Sequence, residues 1–99
     1  MATLFIHAVI ETQTKLEALH GLVTAFKMPK ELGAAIGEAS TRCKQLEDSI
    51  RRDSRLEAQL NIDEFKSYAQ EALIITVNLG EPTIGNLLDR IFNEMNNDI

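Results

Sequence analysis

Glu17-Ala-Leu-His20 sets a carboxylate and an imidazole three residues apart, on one face of any helix that carries them. A di-metal carboxylate bundle needs two such E-x-x-H units and two further glutamates. The only other histidine, His7, has Leu4 three residues before it, so the second unit is missing. His7 and Glu11 read instead as an i, i+4 surface pair. Magnesium-dependent helical hydrolases place acids three apart on facing helices. Here Glu11 meets Thr14, Glu47 meets Ile50, Glu57 meets Leu60 and Glu71 meets Ile74. Glu94 and Asp98 are four apart, in a tail expected to fray. A small metal-dependent hydrolase using Glu17 and His20 therefore stands as the second alternative, and no metal site is predicted.

Nucleophilic and cofactor chemistry find little more. Cys43 is the single cysteine and falls on an apolar helical stripe, where a small buried hydrophobe is expected rather than a reactive thiolate. There is no G-x-S-x-G. Gly33-Ala-Ala-Ile-Gly37 lacks the G-K-[ST] of a phosphate loop, the third glycine of a dinucleotide turn and a preceding strand. No catalytic residue and no cofactor is predicted.

Arg42, Lys44, Arg51, Arg52 and Arg55 gather half of the ten basic residues into one stretch. They are the basis of the first alternative, a nucleic-acid-binding regulator. Glu47, Asp48, Asp53 and Glu57 are interleaved among them, and Glu47 precedes Arg51 by four, the helix-supporting order. No aromatic side chain interrupts the cluster to stack on a base. A salt-bridged solvent face is the simpler expectation, and nucleic acid is not the expected partner.

The elements that must carry these residues are helical. Ala, Leu, Glu, Lys, Gln and Arg dominate, with two prolines, five aromatics and no tryptophan. Phe5, Val9, Thr12, Leu16, Leu19, Val23 and Phe26 alternate spacings of four and three, an a/d seam within a first helix from about Thr3 to Lys27. Leu4, Ile6, Ala8, Ile10 and Leu22 widen its face. Met28-Pro29 ends it, because a residue before proline leaves the α region. A short connection predicts an antiparallel hairpin with a second helix starting near Lys30. That helix carries Leu32, Ile36, Ala39, Cys43, Leu46 and Ile50, with Gly33 and Gly37 placed to let another backbone approach.

Beyond Ile50 two readings compete. Leu56 and Leu60 fall off the stripe, and Ser54-Arg-Leu-Glu57 matches a capping box, which marks helix starts. A helix continuing, or kinked, past Asp53 is the preferred expectation. Asn61 or Asp63 then caps a third helix from about Ile62 to Leu79, which Gly80 and Pro82 end. Thr83 caps a fourth with Ile84, Leu87, Leu88, Ile91, Phe92 and Met95 on one face. The whole chain, 1–99, is expected to be a single domain: an all-α antiparallel bundle of about four helices, the first two longer than the last two.

The stretch from Phe65 to Leu79 exceeds the needs of that bundle. Phe65, Ala69, Ala72 and Leu73 form one stripe, but Leu73, Ile74, Ile75 and Val77 are nearly consecutive and point round most of the helix. A helix apolar most of the way round is covered on several sides, and 99 residues supply few elements to cover it. Phe65, Ala69, Leu73, Ile74, Ile75 and Val77 are therefore the predicted self-association surface of a homodimer or larger assembly. The charge of −5 sits wholly in residues 61–99, where Lys66 and Arg90 face seven acids. This repels phosphate backbones and suits a basic protein partner. The N-terminus lacks the basic region of a signal peptide, no run is long enough to span a bilayer, and the lone cysteine fits a reducing compartment. The expectation is a cytoplasmic, non-enzymatic helical module that binds or sequesters another protein, of adaptor, chaperone, antiactivator or immunity type.

Overall fold

The computed structural model describes the backbone of residues 2–80 and 82–97 and the side chains of 6–80 and 82–93. Four helices account for nearly all of it: α1 (Ala2–Ala25), α2 (Lys30–Arg51), α3 (Arg55–Leu79) and α4 (Pro82–Asn97). The a/d seam of α1 faces inward, with Val9, Thr12, Leu16, Leu19 and Val23 all buried. The α2 stripe does the same through Leu32, Ile36, Ala39, Cys43 and Leu46. Phe5 and Met95, which extend the expected stripes, lie outside the described side chains. Each helix packs on the next in sequence, and α4 closes the ring on α1. A 25-residue helix is about 37 Å long; the longest dimension of the molecule is 39 Å, so α3 runs its length.

The ring is joined by tight reversals rather than loops. At the end of α1, Met28 N–H donates to the Val23 carbonyl and Lys27 N–H to that of Thr24, both at 3.1 Å. At the end of α2, Ser54 N–H donates to Ser49 at 2.9 Å and Asp53 N–H to Ile50 at 3.0 Å. Both are Schellman motifs, whose crossed bonds satisfy carbonyls that a helix end leaves open. Each needs one left-handed residue, supplied here by Lys27 at φ 53° and Asp53 at φ 56°. Only α3 ends on the expected glycine, Gly80 at φ 69°.

This corrects the expected continuity past Asp53. The helix stops at Arg51, and Ser54 sits at the N-cap of α3, seven residues before the expected Asn61. The capping-box spacing marks a real start, although its side-chain bonds are not made. Ser54 makes no side-chain cap bond, and the Glu57 carboxylate pairs with Arg52 at 2.7 Å. Asn61 is interior to α3, where its Nδ2 donates to Ser49 Oγ at 2.9 Å. Ser49 is fully buried and its hydroxyl donates in turn to the Gln45 carbonyl at 2.9 Å. A polar relay thus crosses from α3 to α2.

Other local expectations also shift. At 25 residues α3 is the longest helix, not one of the shorter pair. Phe26 lies beyond the end of α1 and is 71% exposed, because the chain has left helical phase by that point. Pro82, not a capped Thr83, opens α4, as suits a residue with no N–H at a first helical position. Of the tail expected to fray, Asn96 and Asn97 continue α4, and Asp98 and Ile99 lie outside the described residues. Gly33 faces open space, and a Cβ on Gly37 would meet only the His20 ring at 3.7 Å, so no other backbone of the chain closes on either. The glycine that does set a close approach is Gly85: a Cβ there would sit 3.0 Å from the Thr76 hydroxyl of α3.

Candidate interaction surfaces

The core is one cluster drawn from all four helices, and it claims part of the stretch expected to lie at a dimer seam. Phe65 is 2% exposed and meets Phe92 of α4 edge-on, with ring centroids 5.6 Å apart. Ala69 is equally buried. Both side chains are used within the chain, so Phe65 and Ala69 are withdrawn from the expected self-association surface. Their burial follows from the stripe they share with Ala72, which α2 and α4 cover. Leu73 and Ile75 are half-buried and pack against the core. What remains outside is Ile74 at 55% exposure and Val77 at 76%, with Leu79 beyond them. Beside Val77 a shallow trough of about 360 Å³ runs between α3 and α4, lined by Leu73, Val77, Gly80, Pro82 and Asp89 among others. The apolar surplus of this stretch is real, but narrower than the sequence suggested.

A second apolar groove opens between α1 and α4. Leu19 and Ile91 form its floor, Leu22 and Leu87 its part-exposed walls, and Lys15 and Arg90 its charged rim, around some 520 Å³. The signal for it was present in Leu22, which lies outside the a/d seam, and in the breadth of the apolar face of α4. Spacing alone could not say that these two surpluses meet. Leu56 and Leu60 are exposed on the first turns of α3, consistent with their falling off the α2 stripe.

The basic cluster is largely occupied by acids. Arg42 bridges to Glu64 at 2.8 Å and lies over the Tyr68 ring, Arg51 bridges to Glu47 at 3.0 Å, and Arg52 bridges to Glu57. Three of the five expected contact residues therefore have carboxylate partners, as the interleaved acids suggested. Lys44 and Arg55 are exposed at opposite ends of the stretch.

Glu17 and His20 are exposed on α1; Glu17 accepts a bond from Gln13 at 3.3 Å, and the His20 ring lies beside Gly37. Among the described residues no group of three His, Cys, Asp or Glu side chains converges. Glu94 and Asp98 lie outside the described side chains. Among the described residues no helix is long and apolar enough to cross a membrane.

Cys43 is wholly buried, and its thiol donates to the Val9 carbonyl at 3.2 Å. Burial foremost, and then the Glu47 carboxylate, push its pKa up to about 12. The folded state favours the neutral thiol, so this stabilising contribution holds below about pH 9 and is lost as pH rises toward 12. At pH 8 the native chain holds about a thousandfold less thiolate than an ordinary cysteine. Labelling with an aromatic disulfide reagent is expected to be at least that much slower in the folded protein than in denaturant. Comparable rates in the two states would mean that the α1–α2 interface opens readily.

Comparison with protein families, with curated proteins and with solved structures finds no match for this chain.

Proposed function

We propose that this chain is a non-enzymatic helical interaction module, one domain long, that works in the cytoplasm by binding or sequestering another protein. In this reading its four helices form an antiparallel bundle that pairs with a second copy through the C-terminal half of α3. The observation that carries the reading is the exposure of Ile74 and Val77 at 55% and 76%, beside a trough that α4 leaves open. Isolated exposed apolar residues are ordinary, but a contiguous apolar ridge on a small helical chain marks a contact surface. The antiparallel arrangement is supported by Val9 with Cys43 and His20 with Gly37 between α1 and α2, and by Arg42 with Glu64 and Ser49 with Asn61 between α2 and α3. In each step up one helix the partner number falls. Nothing comparable favours the nucleic-acid reading, whose basic residues are mostly paired to acids, or the hydrolase reading.

The test is to crosslink the tagged chain in its native cytosol and identify the products by mass. A homodimer band together with one stoichiometric protein partner is the expected result. Nuclease-sensitive nucleic acid as the sole companion, with no protein, would overturn the reading.

A further inference from the structure

We propose that the outward face of α3 is a second helical seam, and that it pairs antiparallel with the same face of a second copy. The inference rests on the self-association reading and deepens it: the C-terminal half of α3 in one chain covers the N-terminal half in the other. Three observations carry it.

The first is periodicity. The inner stripe of α3, through Ile62, Phe65, Ala69, Ala72 and Thr76, is buried within the chain. On the opposite side Leu56, Leu60, Ile74 and Val77 are each more than half exposed. At about 100° per residue they point within about 60° of one direction. Asp63, Ser67 and Gln70 stand between them and are exposed too. From Leu56 to Val77 the steps alternate four and three without a break, the a/d spacing of a coiled coil. The same spacing on α1 is buried by its neighbours. Among the described residues α3 packs on α2 and α4 and not on α1, so no helix of the chain covers this face.

The second is reversal symmetry. Read from either end, the seam runs apolar, polar, apolar, with the polar run in the middle. Turned end for end, Leu56 meets Val77 of the other copy and Leu60 meets Ile74, and both pairs are centred beside Ser67. A twofold interface requires this, because each residue's contact is returned by its mate. Ser67 is also the midpoint of α3 (Arg55–Leu79), so two antiparallel copies overlap along the whole helix. A foreign helix would need no such symmetry.

The third is charge, which sets the direction. Asp63 is the one charged residue in the seam. Parallel pairing would oppose it to its own copy, two carboxylates facing each other as water is removed. Antiparallel pairing sets it against Gln70, whose side-chain amide donates to it as Gln59 of its own chain does at 3.1 Å. The rim runs the other way. Parallel helices would pair Lys66 with Glu71, whereas antiparallel ones bring Glu64 near Glu71 and the two Lys66 side chains near each other. Exposed contacts of this kind are worth little, and Glu64 is already bridged to Arg42 at 2.8 Å. The seam position therefore decides.

The test uses the full chain. Sedimentation equilibrium reads the dissociation constant, and melts of dilute, monomeric protein check folding first. Gln70→Lys sets an ammonium against Asp63, and Gln70→Glu sets a carboxylate there. The lysine variant is expected to associate at least about tenfold more tightly than the glutamate variant. Adding Asp63→Lys to Gln70→Glu should bring the dissociation constant back to within about threefold of wild type. Leu56→Asp with Leu60→Asp should raise it at least about 100-fold. All four positions are exposed in the single chain, so wild-type melts are expected.

Equal weakening by Gln70→Lys and Gln70→Glu would make the helices parallel and overturn the proposal. So would a dissociation constant that neither variant moves. If Leu56→Asp with Leu60→Asp leaves the dimer intact while Ile74→Asp with Val77→Asp dissociates it, this inference fails and a seam at the C-terminal half of α3 stands. A wild-type chain that stays monomeric at about 1 mM overturns both and leaves the face to a different protein.

Discussion

Leu46→Ala is expected to lower the unfolding free energy by about 2–5 kcal/mol, and Leu56→Ala, only ten residues away in sequence, by no more than about 0.5 kcal/mol. Leu46 is fully buried on α2, the helix that packs against both α1 and α3. Cutting its side chain to a methyl removes the transfer free energy of the lost atoms and leaves a cavity that three rigid helices cannot collapse. Leu56 is 76% exposed on the first turn of α3, where truncation loses almost no burial. A domain of this size has a total stability of about 5–15 kcal/mol, so the first substitution takes a large share of it. At about 4–8 °C per kcal/mol it should lower the melting temperature by at least about 8 °C. Thermal melts of the two variants, followed by far-ultraviolet circular dichroism, measure the contrast directly. A large loss in Leu56→Ala would mean that α3 starts in a different rotational phase, with the Ser54 break misplaced.

That pair of leucines also marks where the sequence was legible. The α1 and α2 stripes could be read because heptad spacing is a direct record of burial: a residue returns to the core side every three or four positions. Val9, Leu16, Leu19, Val23, Leu32, Ile36, Cys43 and Leu46 all lie where that periodicity sets them. The break after Arg51 was not legible in the same way. Helix ends are usually signalled by glycine in the left-handed position, and here Lys27 and Asp53 fill that position instead. An L-residue there costs roughly 1–2 kcal/mol, so it is not the default reading of a lysine or an aspartate. The crossed bonds of each Schellman motif offset the cost, as does Met28, which packs against the core just past the first of them. The bonds are main chain to main chain and the packing is tertiary, so neither is written in the local residue types. The capping-box spacing was the one visible clue, and the apparent fit of Asn61 and Asp63 as caps competed with it.

The candidate surface was legible only as a surplus. Counting apolar residues from Phe65 to Val77 shows that more exist than one face can hold, but not which ones the chain itself covers. Phe65 and Ala69 are consumed because α4 lies close on α3, an approach set by Gly85 against Thr76. The groove between α1 and α4 escaped altogether, since it needs the first and last helices to be neighbours. Periodicity along one helix carries no information about which other helix stands beside it.

Val77→Asp combined with Ile74→Asp is expected to raise the dissociation constant of the proposed homodimer roughly 100- to 1000-fold while leaving the monomer folded. Both side chains are mostly in water in the single chain, so a carboxylate at either costs the monomer little desolvation. At a dimer seam the same carboxylates would lose water without gaining a cation, which costs several kcal/mol. The location of Ile75 makes it the informative contrast. It is half-buried against the core, so Ile75→Asp should lower the melting temperature as well as weaken association. Phe65→Ala should cost about 3–5 kcal/mol of stability through its lost packing on Phe92, and so would report on the core rather than on the seam. Sedimentation equilibrium over a range of protein concentration separates these effects, because mass reports association and the melt reports folding. The seam reading requires the double variant to be monomeric with a wild-type melt. A double variant that keeps the wild-type mass would move self-association off α3. The exposed ridge of Ile74 and Val77 would then be surface for some other partner.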